Sequence, residues 1–92
     1  MYTYTNHDVI TIWNKALHAQ GYNPNFVRKD VCGALIELKQ YGNRDSKFGW
    51  EIDHIVPVSK GGSHSYQNLQ PLQWENNSSK GGGSLTCPVR GT

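Results

Sequence analysis

The sequence has few charged residues and contains no long apolar run. Charged residues make up 17% of the 92 residues and the formal net charge is +2, a basic bias too weak to argue for a nucleic-acid partner, although it permits contact with phosphate. No apolar stretch approaches the roughly 18 residues of a membrane-spanning helix, and the N-terminus lacks a basic-then-apolar signal segment. A cytoplasmic protein with no membrane partner is therefore expected.

Cysteine is also scarce. The two cysteines, Cys32 and Cys87, lie far apart and belong to no CxxC pair. A disulfide between them is conceivable in an oxidising compartment. The favoured interpretation is a buried structural thiol at Cys32 and an incidental thiol in the C-terminal segment.

Hydrophobic residues account for only 36% of the chain. A chain of this length makes a single domain, residues 1–92, with a small core that needs help from a disulfide, a metal or a partner subunit. Aromatic residues are plentiful, with three Trp, five Tyr and two Phe. Because each buries a large area, they are the natural anchors of that core.

The N-terminal part predicts one helix followed by a loop. Residues 6–19 carry apolar side chains at three- and four-residue spacing, and Asn6 can cap the first turn. The apolar face consists of Val9, Ile10, Trp13, Ala16 and Leu17. Glycine and an Asn-Pro pair then break the pattern, which predicts a loop or short turn over residues 20–30.

Strands are expected in the middle of the chain. A first strand follows Gly33, and a second runs from Phe48 to about Ile55, with Trp50 and Ile52 on one face. A short strand near residues 67–70 comes after a glycine-containing loop.

The C-terminal part predicts a helix and a tail. Pro71 is placed to begin the helix and Gly81 to end it. Intrinsic propensity gives this helix little support, because the segment contains two Asn and two Ser. The residues beyond it, 82–92, are rich in Gly and Ser and are expected to form a flexible tail.

The informative stretch for function runs from Trp50 to Gly81. It reads D-H-x-x-P-x-S-x-G-G, then N-L-x-x-L, then N-N-x-x-K-G, and Asn68 and Asn77 lie fourteen and twenty-three residues after His54. These positions resemble the motif of the HNH endonuclease family, and about a third of the chain is covered. The matching residues are Asp53, His54, Pro57, Gly61, Gly62, Asn68, Asn77, Lys80 and Gly81.

The resemblance implies a fold and a set of roles. The expected fold is α+β, a ββα-metal core over about residues 33–81 with an N-terminal helical extension. It implies that Asp53 and Asn77 bind one divalent cation, that His54 is the general base, and that Asn68 holds His54 in place. Packing and metal ligation would then impose a helix after Pro71 despite its weak propensity.

Elementary chemistry is consistent with these roles. A histidine titrates near pH 6.5, so neutral imidazole is available at pH 7 to take a proton from water. Asp53 and Asn77 offer hard oxygen ligands, which suit Mg²⁺ or Mn²⁺ better than Zn²⁺. Neighbours on a regular strand point to opposite faces, so Asp53 and His54 must lie where the strand ends or bends.

Three other expectations concern nearby residues. Asn76 competes with Asn77 as the ligand, and spacing favours Asn77. Only Cys32 remains of the four cysteines that form two zinc knuckles in many family members, so no structural zinc is expected. The hypothesis is that packing among Trp50, Trp74 and the first helix replaces the structural zinc in stabilising the core.

Basic residues near the motif have two interpretations. Lys80 could neutralise the end of its helix or contact phosphate. Arg44 and Lys60 fall near the ribbon and are interpreted as phosphate contacts, although a solvated surface is the alternative. His64 is interpreted as a solvated loop residue.

The sequence therefore predicts a metal-dependent endonuclease acting on nucleic acid, most readily DNA. The alternative is a non-catalytic nucleic-acid-binding module on the same fold. Such a module is expected to lack His54 or one of the metal ligands, and all of these residues are present here. A nuclease toxin with a partner immunity protein is a second alternative, which would predict a larger polypeptide or secretion signals. Whether the protein is a monomer or a dimer is left open.

Overall fold

The computed structural model describes residues 3–91, which form two helices and two antiparallel sheets. The elements in chain order are α1 (Asn6–Trp13), β1 (Leu17–His18), β2 (Val27–Lys29), β3 (Leu35–Glu37), β4 (Trp50–His54), β5 (Leu69–Gln73) and α2 (Trp74–Lys80). Single 3-10 turns cover Leu38–Gln40, Val58–Lys60 and Tyr66–Asn68. One sheet has the order β1-β2-β3, and β4 pairs with β5 in the other. The expected α+β architecture, a two-stranded ribbon followed by a helix, is confirmed.

The hydrophobic core lies between α1 and the two sheets. The rings of Trp13 on α1 and Trp50 on β4 are 5.4 Å apart between centroids. Both are almost completely buried, and large aromatic side chains contribute much of the apolar area in a core this small. The buried cluster consists of Ile12, Trp13, Ala16, Ile36, Trp50, Ile52 and Leu69.

The first helix is capped one residue earlier than predicted. Thr5, not Asn6, is the N-cap, and its hydroxyl accepts from the Asp8 amide at 3.1 Å. The Asp8 carboxylate in turn accepts from the Thr5 amide at 2.9 Å. This reciprocal pair satisfies two amides that the first turn would otherwise leave without partners.

The helix also ends much earlier than the predicted residue 19. It stops at Trp13, and the guanidinium of Arg28 donates to the backbone carbonyls of Asn14, at 3.1 Å, and Ala16, at 3.3 Å. These bonds give the chain after the helix an alternative to continued helical pairing. Leu17 therefore lies in β1 and is half exposed instead of completing the predicted apolar face.

The segment 20–30 is not only a loop. It contains β2, which pairs with β1 and β3 in an antiparallel arrangement. Strands of two and three residues are too short to show a period-two pattern, so no periodicity in the sequence could predict them.

The ribbon of β4 and β5 pairs in regular register, from Trp50 opposite Gln73 to His54 opposite Leu69. Pro71 lies within β5 opposite Ile52, so the prediction that Pro71 begins the final helix is wrong. A two-stranded ribbon has an open edge on each strand, where a residue without an N–H is tolerated. The helix begins at Trp74 instead, after Gln73 accepts hydrogen bonds from two first-turn amides.

The C-terminal segment is tied to the body of the domain, in contrast to the predicted flexible tail. Cys32 and Cys87 form a disulfide that closes a loop of 55 residues, so the favoured free-thiol interpretation is wrong. Val89 exchanges two backbone hydrogen bonds of 2.8 Å with the side chain of Asn76 on α2. The missed signal is spatial, because pairing of cysteines so far apart in sequence cannot be deduced from spacing.

Within residues 3–91 no helix has the length and apolar character to cross a bilayer. The cytoplasmic location stays a prediction. Disulfides such as Cys32–Cys87 persist mainly in oxidising compartments, so the redox state of these two cysteines in the cell would test that location.

Candidate active site

Strand β4 presents two different faces. Trp50 and Ile52 point into the core, whereas the alternate residues Glu51 and Asp53 contact helix α2. The period-two geometry of a strand produces this division. The acidic face of β4 and one face of α2 therefore enclose a polar space behind the core.

Asp53 is buried in that space, with 6% of its surface exposed. One carboxylate oxygen accepts from Gln70 on the paired strand at 2.9 Å, and the other accepts from the Lys80 ammonium at 3.1 Å. The same ammonium donates to the backbone carbonyl of His54 at 2.8 Å. Lys80 thus bridges the Asp53 carboxylate and the His54 carbonyl, and its side chain is itself only 5% exposed.

Asn77 enters the same space from α2, one turn before Lys80. Its side-chain nitrogen donates to Glu51 at 2.7 Å. Glu51 also receives a two-pronged contact from Arg44, at 2.7 and 2.8 Å. Hydrogen bonding from Arg44, followed by that from Asn77, lowers the pKa of Glu51 against the opposing effect of burial. The pairs Glu51–Asn77 and Asp53–Lys80 lie side by side between β4 and α2.

Asn76, the competing candidate, belongs to a different network. It is completely buried, and its amide nitrogen donates to the carboxylate of Asp30 at 3.0 Å and to the carbonyl of Val89 at 2.8 Å. Its oxygen accepts from the Val89 amide. Because these contacts use both ends of the amide, Asn76 serves the packing of α2 against the C-terminal segment, and Asn77 is left as the asparagine facing β4.

His54 is the last residue of β4, which meets the requirement that the Asp-His pair lie where the strand ends. Its ring nitrogen Nε2 is 2.9 Å from Nδ1 of His64, and the two rings meet edge to face. Burial lowers the pKa of His54 below its ordinary value. The nearby His64 and Lys80 act in the same direction, and only Asp53 opposes them. A neutral imidazole near pH 7 follows.

His64 is exposed, as expected for a solvated loop residue, and it also contacts His54, which the sequence did not predict. The loop that joins β4 to β5 places His64 beside the His54 ring. The sequence signal that could have found it is a histidine inside the loop that joins the two ribbon strands.

Within residues 3–91, the side-chain hydrogen bonds of Asn68 go to the loop after β4 and not to the His54 ring. Its side-chain oxygen accepts from the Val56 amide at 2.9 Å, and its nitrogen donates to the carbonyls of Val56 and Ser63, at 3.0 and 2.8 Å. This turn requires glycine at position 62, because a Cβ there would lie 1.7 Å from the Val56 carbonyl oxygen. Asn68 therefore closes the turn that carries the chain away from His54.

The three predicted phosphate contacts lie in different surroundings. Lys80 is buried on Asp53, Arg44 is paired with Glu51 while 53% of its side chain remains exposed, and Lys60 is exposed at the end of a 3-10 turn. The guanidinium of Arg44 also lies 5.7 Å from the ring of Trp74. Lys60 and Arg44 are therefore accessible to a phosphate, whereas Lys80 is not.

The donor atoms of the site are hard. Residues 3–91 contain no group of three or more His, Cys, Asp or Glu side chains placed to hold a metal. The carboxylate of Asp53 and the amide oxygen of Asn77 are oxygen donors of the type that Mg²⁺ and Mn²⁺ prefer, and such ions commonly use few protein ligands. The residues present fit a hard divalent cation and do not form a closed zinc cage.

Comparison with known proteins identifies a family for the part of the chain that contains the site. The family model described as HNH endonuclease matches residues 31–83, which is more than half of the chain and includes β3, the whole ribbon and α2. No curated protein and no solved structure matches the chain. The matched segment ends just beyond Lys80 and contains every motif residue named above. The chain belongs to the HNH endonuclease family, and nuclease activity with nucleic acid as its partner is its general function.

Proposed function

We propose that the protein is an endonuclease that depends on Mg²⁺ or Mn²⁺ and hydrolyses phosphodiester bonds in DNA. The observation that carries the proposal is the placement of Asp53 and Asn77 in one polar space between β4 and α2, with His54 at the strand end beside it. A carboxylate, an amide oxygen and a neutral imidazole are the groups that metal-assisted phosphodiester hydrolysis needs.

Asp53 and Asn77 are the residues that would hold the cation. When bound, the cation supplies Lewis acidity and stabilises the charge that develops on the leaving oxygen. Lys80 contacts one oxygen of Asp53 in this structure, so its ammonium would compete with the cation for that carboxylate.

His54 takes the proton from the attacking water. Its lowered pKa keeps the ring neutral at physiological pH, which is the form that can accept a proton. Nε2 faces His64, so Nδ1 is the ring atom left to meet the water. His64 holds the ring orientation, and Asn68 holds the turn that follows.

The nucleic acid is proposed to lie across the exposed loop beyond β4. Lys60 is exposed there, and half of the Arg44 side chain is accessible where it pairs with Glu51 on β4. Such contacts position a backbone without reading its sequence. Lys80, once moved from Asp53, would add a third cation beside the scissile phosphate.

A cleavage assay tests the proposal. Supercoiled plasmid is incubated with the protein and Mg²⁺ or Mn²⁺, with and without chelator, and a single-stranded RNA of matched length is run in parallel. Cleavage of plasmid is expected only with metal, and His54→Ala is expected to lower the rate by about 10²- to 10⁴-fold. His18→Ala, an exposed histidine on β1, is the matched control and should cleave like wild type.

The possible results distinguish a DNA endonuclease from a non-catalytic binding module and from a nuclease that acts on RNA. Binding of the plasmid without cleavage under every metal condition would favour the non-catalytic module. Equal rates for His54→Ala and wild type would remove His54 from the mechanism, and cleavage of the RNA alone would reassign the substrate.

A further inference from the structure

The amide of Asn77 has two ends of similar shape and opposite character. The oxygen can ligate a cation, whereas the NH₂ group is a donor only and repels one. An asparagine proposed as a metal ligand therefore works only when its amide is turned with the oxygen toward the ion. A neighbouring group must therefore set the orientation of the Asn77 amide.

Glu51 contacts one end of this amide. Its Oε1 atom accepts from Nδ2 of Asn77 at 2.7 Å. An ionised carboxylate accepts hydrogen bonds and cannot donate them. It therefore attracts the nitrogen end of Asn77 and repels the oxygen end.

Glu51 is itself held in place. Arg44 donates to both of its carboxylate oxygens, through Nε at 2.7 Å and Nη2 at 2.8 Å, in the two-pronged geometry that fixes a carboxylate most firmly. The Arg44 guanidinium lies 5.7 Å from the Trp74 ring on α2. The acceptor that contacts Asn77 is thus anchored to the same helix that carries Asn77.

The strand places this acceptor beside the other ligand. Glu51 and Asp53 are two residues apart on β4 and share the face that meets α2. With its nitrogen held by Glu51, Asn77 keeps its oxygen as the end of the amide that remains for an ion.

We propose that Glu51 is a positioning residue that selects the amide orientation of Asn77, so that its oxygen and not its nitrogen is presented to the cation. This inference rests on the proposed function, because it concerns the same metal site. Glu51 acts through Asn77 and is not a ligand. Groups that orient a ligand in this way typically change metal affinity by about 10- to 100-fold when they are replaced.

The test is a double-mutant cycle on Mn²⁺ affinity, measured from the electron paramagnetic resonance signal of the unbound ion. Glu51→Gln keeps the volume of the side chain, but a glutamine can pair with either end of the Asn77 amide. It is expected to weaken Mn²⁺ binding by about 10- to 100-fold. Glu75→Gln removes the same charge from the first turn of α2, away from Asn77, and should leave the affinity near wild type.

Asn77→Asp supplies the second side of the cycle. An aspartate presents oxygen at both positions and needs no orientation, so Glu51→Gln in this background should have no weakening effect or should improve binding by relieving the repulsion between two carboxylates. Equal weakening in both backgrounds would mean that Glu51 acts as a ligand or through its charge alone, and would overturn the inference.

Three further outcomes are decided in the same experiment. Glu51→Asp keeps a carboxylate that only accepts, and its binding should lie closer to wild type than that of Glu51→Gln; equally weak binding by both would contradict the inference even if Glu51→Gln were poorly folded. Wild-type protein that neither binds Mn²⁺ nor cleaves DNA would defeat the proposed function together with this inference. Wild-type binding that Glu51→Gln leaves unchanged would defeat the inference alone.

Discussion

Replacing Lys80 with methionine is expected to destabilise the metal-free protein and to strengthen its response to Mn²⁺. The side chains of Lys80 and Asp53 are 5% and 6% exposed and form an ion pair of 3.1 Å. Solvent screens such a pair weakly, and removal of one partner leaves a buried charge without compensation. Losses of this kind cost about 3–5 kcal/mol.

The lower figure is already large for a domain of this size. A change of 1 kcal/mol shifts Tm by roughly 4–8 °C in a domain of 60–100 residues, so about 3 kcal/mol corresponds to a fall of roughly 12–24 °C. Methionine keeps most of the apolar stem of Lys80, which limits the contribution of lost packing and assigns the effect to the charge.

Metal should reverse part of this loss. In the wild type the ammonium and the cation compete for the Asp53 carboxylate, whereas in Lys80→Met the cation meets no competitor there. A tenfold gain in affinity would add about 1.4 kcal/mol of stabilisation under excess metal. The increase in Tm caused by excess Mn²⁺ should therefore be larger for the variant than for the wild type.

Thermal unfolding followed by circular dichroism, with chelator and with excess Mn²⁺, measures both effects. Lys39→Met removes the same charge from an exposed position and is the matched control. A metal-free variant as stable as wild type would show that the buried pair contributes nothing. A Tm increase no larger than that of the wild type would show that Lys80 does not compete with the ion.

Three other perturbations give distinct readouts. Because burial and the neighbouring His64 lower the pKa of His54, the cleavage rate should rise with pH through a midpoint below 6.5 and then level off. His64→Ala should move that midpoint to higher pH in a pH–rate profile. A midpoint that does not move would contradict the effect of His64 on the His54 pKa. Reduction of the disulfide at Cys32 should lower the free energy of unfolding by roughly 4 kcal/mol for a loop of 55 residues, measured by urea denaturation with and without reductant; equal midpoints would contradict this. Gly62→Ala should lower stability by about 1–3 kcal/mol because its Cβ meets the Val56 carbonyl, and an unchanged thermal melt would show that the turn yields without cost.

The sequence was a good guide wherever function restricts several residues at fixed spacing. The motif predicted the ribbon and the final helix in the correct order, although the ends of the elements moved by a few residues. Short strands such as β2 could not be predicted, because three residues show no periodicity. The end of α1 could not be predicted either, since it depends on Arg28, which reaches back across the fold to the carbonyls after the helix.

The site was predicted less completely than the fold, and for a physical reason. Spacing identified the residues that match the motif, but the partners of those residues come from elsewhere in the chain. Glu51 could have been found, because it lies two residues before Asp53 and must share its face of the strand. Asp30 could not: its carboxylate joins the Gln73 amide and the Asn76 side chain only after residues 43 and 46 positions apart are brought together.

Helix α2 forms although its composition has a weak intrinsic preference for helix. Its seven residues include two Asn and two Ser, and an isolated helix of that length and composition would not form in water. Tertiary contacts take the place of propensity: Asn76 bonds to Asp30, Asn77 to Glu51, and Lys80 to Asp53. Two of these three contacts belong to the candidate active site. The polar pairs that arrange the site are therefore also what keeps the helix folded, so a substitution at Asn77 or Lys80 acts on stability and on metal binding together, and the two effects can be separated only by measuring both on the same variant.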